Sequence, residues 1–211
     1  MELTILETII GFAILIFSII IHEISHGSMA YYLGDNTSKD QGRLNLNPLN
    51  HLDFIGTIML PAFLLLAASP VVVGWAKPVP VNFSNIRDKR WGALKVSLAG
   101  PVANFIVAII FALIIRFIPA LSSDLYLVFK LVVIYNLVLA IFNLIPIPPL
   151  DGSHILFDLL PQEQWFYKAR EILTKYGFLI LIFCIFIYPG INWIFVLAEK
   201  IFFFFSGQLF I

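Results

Sequence analysis

Residues 3–27 read LTILETIIGFAILIFSIIIHEISHG, a largely apolar run that ends in a cluster of ionisable side chains. The apolar part is long enough for the hydrocarbon core of a bilayer, which needs about 20 residues of helix. The cluster contains His22, Glu23 and His26. An ionisable side chain at the centre of a membrane helix costs roughly 2.5 to 3.5 kcal/mol on insertion scales, so the cluster indicates a functional site.

The composition of the whole chain is also strongly apolar. Of its 211 residues, 60% are hydrophobic and 12% are charged, and the mean hydropathy is +0.95. Soluble chains are nearer a quarter charged. Uncharged runs recur at 102–115 and 178–188. We therefore predict an all-α polytopic membrane protein whose main partner is the lipid bilayer, and the net charge of zero gives no reason to expect nucleic acid.

Hydropathy predicts about four full transmembrane helices, at residues 3–33, 91–118, 126–144 and 175–205. A further apolar segment at 54–73 is interrupted by Pro61 and Pro70, so it is either a re-entrant segment or a fifth span. Alternation and prolines predict short surface β-strands at 42–46 and 77–81. We expect residues 1–211 to form a single membrane-embedded domain with a core at about 3–160.

The two histidines of the first helix are four residues apart, so they lie on one face of that helix. This spacing lets two imidazoles bind one Zn²⁺ at about 2.0 to 2.1 Å each. Glu23 follows the first histidine, where its carboxylate can reach a water on the metal. The arrangement is the His-Glu-x-x-His pattern of zinc proteases.

A catalytic zinc needs a third protein ligand, and Asp151 is the best candidate. The prolines of residues 146–149 end the preceding helix, so the carboxylate can turn inward. In the alternative, Asp151 only caps a short helix that starts at Gly152. His154 is a competing candidate for the third ligand, but we expect it to lie next to the ligands or on the surface. The remaining candidates are Glu163, Glu171 and Glu199, while the single cysteine, Cys184, excludes a cysteine-based zinc site.

Several blocks of sequence in the same order resemble the site-2 proteases, the M50 metallopeptidases, and in particular their compact prokaryotic branch. The blocks, which span about residues 15–160, are HEISH at 22–26, GRLNLNP at 42–48, HLD at 51–53, GWAKPVPVN at 74–82, AGPVAN at 99–104, FNLIP at 142–146 and LDG at 150–152. Phe54 departs from the proline expected after HLD. No part of the 211 residues resembles the PDZ or CBS domains of many relatives, so the chain gives no indication of how substrates are chosen.

The resemblance implies intramembrane proteolysis, in which a transmembrane segment of another protein is the substrate. It implies that His22, His26 and Asp151 bind one Zn²⁺ per chain and that Glu23 is the catalytic base. It also suggests that Asn143 orients the substrate or stabilises the oxyanion. Asn104, polar and within a predicted span, either bonds two helices together or takes part in catalysis.

The main alternative is a membrane protein without proteolytic activity, either a proton-coupled transporter or a degenerate relative. A transporter is expected to spread charges over several helices and to repeat one half of its sequence, and neither feature is present. A degenerate relative is expected to have lost Glu23 or a zinc ligand, and none is missing. The oligomeric state is not readable.

Topology follows from the need for His22, His26 and Asp151 to meet, because their helices must then end on the same side. The stretches 34–53, 74–95 and 152–175 on that side hold ten basic residues, whereas the opposite side has Arg116, Lys130 and Lys200. The positive-inside rule makes the ten-residue side cytoplasmic. We therefore expect a multi-pass protein of the cell membrane with the zinc near the cytoplasmic leaflet, both termini external, and 54–73 re-entering on the cytoplasmic side.

Overall fold

The computed structural model describes residues 5–67, 74–118, 120–160, 164–186 and 192–208. Within these ranges every regular element is a helix, which confirms the all-α class. A π-helical segment at Phe54–Met59 leads directly into α3, and 3₁₀ turns lie at Pro48–Asn50 and Phe83–Asn85. The α-helices are α1 Ile5–Tyr32, α2 Thr37–Asp40, α3 Leu60–Leu66, α4 Gly92–Phe117, α5 Ser123–Asn143, α6 Asp151–Leu159, α7 Gln164–Phe186 and α8 Asn192–Ser206.

Three helices in the described part of the chain, α1, α4 and α5, are long and apolar enough to cross a membrane. They match three of the predicted spans to within three residues at each end. Helix α4 packs against both α1 and α5, and α1 also contacts α5. The outward face of α4 exposes large apolar side chains at helical spacing, as expected for a surface in contact with lipid: Val102, Ile106, Ile110, Leu113 and Phe117.

The main apolar core lies where α4, α5 and α8 meet. Ala108 and Ala112 are fully buried on α4, and their small side chains let the neighbouring helices approach closely. Helix α8 fills this core with one face, at the spacing of successive helical turns, through Ile194, Ala198 and Phe202.

The region predicted as one C-terminal helix at 175–205 is described as two helical stretches on either side of residues 187–191. Helix α7 already begins at Gln164 and ends at Phe186, and α8 begins at Asn192. Residues 187–191 lie outside the described residues, but their sequence includes Pro189 and Gly190, which both disfavour a continuous helix. Of the doubtful segment 54–73, residues 54–66 are helical, and 68–73 also lie outside the described residues.

The predicted strands at 42–46 and 77–81 are absent from the structure, which describes both stretches fully. Residues 77–81 are irregular because side chains, and not a neighbouring strand, bond their polar backbone groups. The Arg43 guanidinium donates to the carbonyl oxygens of Lys77 at 2.9 Å and Pro78 at 3.3 Å. Ser38 donates its hydroxyl to the carbonyl of Pro80. The stretch thus resembles a strand in sequence but has no ladder.

Gly27 on α1 lets residues 77–81 lie directly against that helix. A Cβ atom at this position would stand 2.6 Å from Cγ1 of Val79 and 2.7 Å from Cδ2 of Leu44, closer than real contacts allow. The close approach brings the backbone of Val79 next to the ionisable cluster of α1.

Asp35, just beyond the end of α1, is a fully buried carboxylate that fastens the loop regions together. Its Oδ2 accepts the backbone N–H of Asn82 at 2.7 Å, and its Oδ1 accepts the amide of Asn85 at 2.9 Å and the hydroxyl of Thr37. Burial tends to raise the pKa of this carboxyl, but the hydrogen bonds outweigh burial and hold the pKa below its ordinary value.

We predict that Asp35→Asn destabilises the protein, since it turns an acceptor into a donor opposite buried N–H groups, at a cost of about 1–3 kcal/mol. Because the pKa of Asp35 is lowered in the folded state, its stabilisation is present above the unfolded pKa near 4 and is lost as pH falls through the folded pKa. In thermal unfolding, the difference in Tm between wild type and variant should be large at pH 7 and shrink below about pH 4. Asp40→Asn, on exposed α2, is the control. A difference in Tm between wild type and Asp35→Asn that is the same at pH 7 and below about pH 4 would contradict the prediction.

Candidate metal centre

The structure brings His22 and His26 of α1 together with Asp151, the first residue of α6. The Nε2 atoms of the two histidines are 3.0 Å apart. Oδ2 of Asp151 lies 3.0 Å from Nε2 of His22 and 3.2 Å from Nε2 of His26. Residues more than a hundred positions apart in the sequence therefore present three ligand-type atoms to one point.

The other ring nitrogen of each histidine is bonded to an acceptor. Nδ1 of His22 donates to Oδ1 of Asn104 at 2.7 Å, and Nδ1 of His26 donates to the backbone carbonyl of Val96 at 2.7 Å. A carbonyl oxygen can only accept, so the ring nitrogens facing it carry the protons. Both Nε2 atoms then carry lone pairs.

With both imidazoles neutral, two lone pairs and a carboxylate oxygen thus converge at 3.0–3.2 Å, an arrangement that is repulsive unless a metal ion or a proton lies among them. Tetrahedral zinc, with bonds of about 2.0–2.2 Å to nitrogen and oxygen, holds its ligand atoms slightly more than 3 Å apart. The residues fit zinc in number, chemistry and spacing. Nδ1 donors bonded to an amide or carbonyl oxygen are also the usual outer partners of zinc-bound histidines.

Two glycines allow the segments to meet at this point. A Cβ atom at Gly100 of α4 would overlap Nε2 of His26 and stand 2.6 Å from Cε1 of His22. A Cβ atom at Gly152 would overlap the carbonyl of Leu144, where the chain leaves α5. The first glycine lets α4 pass directly against the Nε2 edges of the imidazoles, and the second lets the start of α6 pack on the end of α5.

Glu23 lies beside the convergent atoms and is held by the irregular stretch 77–81. Its Oε2 accepts the backbone N–H of Val79 at 2.8 Å. Its Oε1 has no hydrogen-bond partner within the residues the structure describes. One oxygen is therefore fixed, while the other is available to a water or substrate.

The other ligand candidates that the structure describes do not join the three convergent atoms. His154 is exposed on α6 and Glu171 is exposed on α7, while Glu163 lies outside the described residues. Glu199 lies on α8, away from the three convergent atoms. Asn143 donates its side-chain amide to the carbonyl of Leu139 one turn earlier in α5, at 3.0 Å.

The capping alternative for Asp151 is not supported, because its carboxylate faces the histidines and the N-cap residue of α6 is Leu150. The sequence interpretation missed the carbonyl of Val96 and the N–H of Val79, since backbone groups leave no sequence signal. Gly100 and Asn104 did leave a sequence signal, because their four-residue spacing puts a glycine, which allows close approach, and an amide side chain on one helix face.

Comparisons with known proteins place the chain among zinc metalloproteases of one family. The sequence profile of peptidase family M50 matches residues 118–184, which include Asp151. The "Putative zinc metalloprotease YwhC" of Bacillus subtilis (strain 168) is 41% identical over 179 residues, or 80% of this chain and 76% of that protein. The "Putative zinc metalloprotease Rip2" of Mycolicibacterium smegmatis is 31% identical over 196 residues, or 90% and 71%. The "Zinc metalloprotease MJ0392" of Methanocaldococcus jannaschii is 30% identical over 133 residues, or 62% and 39%. No solved structure gives a significant match.

We predict that Gly100→Ala lowers zinc affinity about tenfold or more, the range seen when groups around a metal site are disturbed, because the new methyl displaces both imidazoles. Helix content should be kept, since alanine favours a helix over glycine. Zinc retained after chelator dialysis, measured by atomic absorption, checks this. Val102→Ala on the exposed face of the same helix is the matched control. A Gly100→Ala protein that holds as much zinc as wild type would show that the centre is elsewhere.

Proposed function

The chain belongs to peptidase family M50, the site-2 proteases, and is a zinc metalloprotease, and from this premise we propose that it hydrolyses a peptide bond within or next to transmembrane segments of other membrane proteins. The observation that carries the proposal is the position of the convergent atoms. His22 lies 17 residues after the start of α1, about 26 Å along an apolar helix long enough to span a bilayer. A hydrolytic site at this depth suits a substrate that is itself in the membrane.

In this proposal His22, His26 and Asp151 hold one Zn²⁺, and the fourth position is open to water or substrate. When bound, zinc makes a coordinated water acidic near neutral pH and polarises the scissile carbonyl. The chain's own contribution is to fix the three ligands from two helices and to keep both Nε2 lone pairs inward through Asn104 and the carbonyl of Val96.

Glu23 is the proposed general base. The bond from Val79 fixes one carboxylate oxygen, so the other can take a proton from the attacking water and return it to the leaving amine. We propose that Asn143 orients the substrate or stabilises the oxyanion. Its amide would exchange the bond to Leu139 for one to the substrate.

An apolar cavity of about 290 Å³ lies between α1 and the segment formed by Phe54–Met59 and α3, and we propose that client segments reach the site through it. Its lining includes Ile19 and Ile20, three and two residues before His22. The lining is mostly apolar, as expected for a cavity that receives apolar side chains of a bound segment. The substrates proposed are therefore transmembrane proteins.

The charge distribution supports the topology expected from the sequence. The contacts among α1, α4 and α6 place the end of α1, the start of α4 and the start of α6 at one end of the bundle. At the other end, Arg116 donates to the carbonyls of Phe204 and Phe205, so α4 and α8 finish together. We propose that the first end, with ten basic residues, is cytoplasmic and that segment 54–73 re-enters from it.

We predict that Glu23→Gln keeps stoichiometric zinc but loses proteolysis, since the amide cannot accept the proton. His22→Ala and Asp151→Asn should lose zinc as well, because each removes a ligand. Metal analysis of the purified variants tests the site, and zinc retained in both ligand variants would refute the assignment. For function, membrane proteomes from cells with wild type and with Glu23→Gln should differ by accumulated uncleaved clients. Identical proteomes would count against the proposed activity.

We predict that residue 84 faces the cytoplasm and residue 123 the exterior. Ser84→Cys and Ser123→Cys, both at exposed positions, are close to isosteric and would be made after Cys184→Ala. A membrane-impermeant thiol reagent should label the second in intact cells and the first only in inverted vesicles. Labelling of residue 84 from outside would overturn the topology.

A further inference from the structure

Behind the metal centre, three polar side chains from three different helices are buried together: Ser18 of α1, Asn104 of α4 and Asn136 of α5. Their exposed fractions are 3%, 0% and 0%. Polar side chains that cross between membrane helices commonly serve only to hold the helices together. In this cluster, however, one member also contacts an imidazole of the centre, so its bonding pattern bears on the chemistry.

The cluster begins at backbone carbonyl groups, which can only accept. The hydroxyl of Ser18 donates to the carbonyl of Ile14 at 2.8 Å. The side-chain amide of Asn136 donates Nδ2–H groups to the carbonyl of Val132 at 2.8 Å and to Oγ of Ser18 at 2.8 Å. These bonds fix the orientation of the Asn136 amide, so its Oδ1 must point the other way, towards α4.

The same logic fixes Asn104. Its Nδ2 donates to Oδ1 of Asn136 at 2.7 Å and to the carbonyl of Ser18 at 3.2 Å. A reversed amide would set its oxygen against two acceptors, which is unfavourable in a buried site. Oδ1 of Asn104 therefore faces His22, where it accepts the proton on Nδ1 at 2.7 Å.

We propose that Ser18, Asn136 and Asn104 form a directional hydrogen-bond relay that sets the tautomer and ring orientation of His22, so that its Nε2 lone pair is presented to zinc before the metal arrives. The inference rests on the proposed zinc site and adds Asn104 and Asn136 to it as positioning residues. Asn104 acts through His22, and Asn136 acts through Asn104. Neither touches the ligand atoms.

The relay makes a different prediction from simple helix packing. If the cluster only holds helices together, replacing either asparagine lowers thermal stability and leaves zinc affinity of the folded protein unchanged. If the relay orients His22, replacing either asparagine lowers zinc affinity, and replacing Asn104 lowers it more than replacing Asn136. Outer partners of metal-bound histidines are typically worth about 10–100-fold in metal affinity.

The test is a zinc titration of the full-length protein in detergent against a chromophoric chelator, with thermal unfolding of the metal-free form in parallel. Asn104→Leu removes the acceptor of His22, and we expect the zinc Kd to rise about 10–100-fold. Asn136→Leu leaves Asn104 with the single acceptor at Ser18, so its Kd should rise by less. Asn104→Asp keeps an acceptor for His22 but sets its second oxygen against the two acceptors that Nδ2 of Asn104 serves, so thermal stability should fall while the zinc Kd rises by less than in Asn104→Leu. Ser206→Ala, a buried polar site at the far end of α8, is the control.

The relay is overturned if Asn136→Leu binds zinc as wild type does, or if Asn104→Asp loses as much affinity as Asn104→Leu. Should Asn104→Leu not fold, Asn136→Leu decides: a raised zinc Kd in the folded variant supports the relay, and an unchanged Kd overturns it. Wild type that binds no zinc would remove the proposed metal site and the relay together. Wild type that binds zinc alongside an unaffected Asn136→Leu removes only the relay.

Discussion

Two imidazole lone pairs and a carboxylate oxygen meet within 3.0–3.2 Å along a helix that is otherwise built for lipid, and the arrangement of the bundle depends on this convergence. Such a cluster is unfavourable in an apolar medium unless each remaining polar atom is bonded and a cation balances the charge. The close passage of α4 at Gly100, the turn into α6 at Gly152 and the burial of Asn104 all serve that requirement. The metal centre and the packing of the three long helices therefore depend on each other.

In the loop regions, side chains rather than a neighbouring strand bond the polar backbone groups. The stretch 77–81 is anchored by Arg43 and Ser38, and the adjoining residue Asn82 is anchored by Asp35. Glu23 is a fourth anchoring side chain, bonded at Val79. The proposed base Glu23 therefore also anchors the stretch 77–81. Its position is linked to the folding of the polar region at the membrane surface.

The sequence was sufficient for most of the centre and for the three long helices. His22 and His26 share a face by spacing alone, and the proline-rich exit of α5 pointed to Asp151. The strands at 77–81 were predicted wrongly because alternation describes an extended chain but not what bonds to it. The helix predicted at 175–205 begins earlier in the structure, at Gln164, and its continuity through 187–191 stays a prediction. The contacts of Val96, Val79 and Asn136 could not be predicted, since they depend on which helices are neighbours.

The most direct measurement is X-ray absorption at the zinc edge of the purified wild-type protein. The account predicts a first shell of nitrogen and oxygen at about 2.0–2.1 Å with the scattering of two imidazoles and no sulfur. A sulfur shell, which would implicate Cys184, or a shell without imidazole scattering would contradict it. Either result would mean that His22, His26 and Asp151 converge for some reason other than to bind the metal.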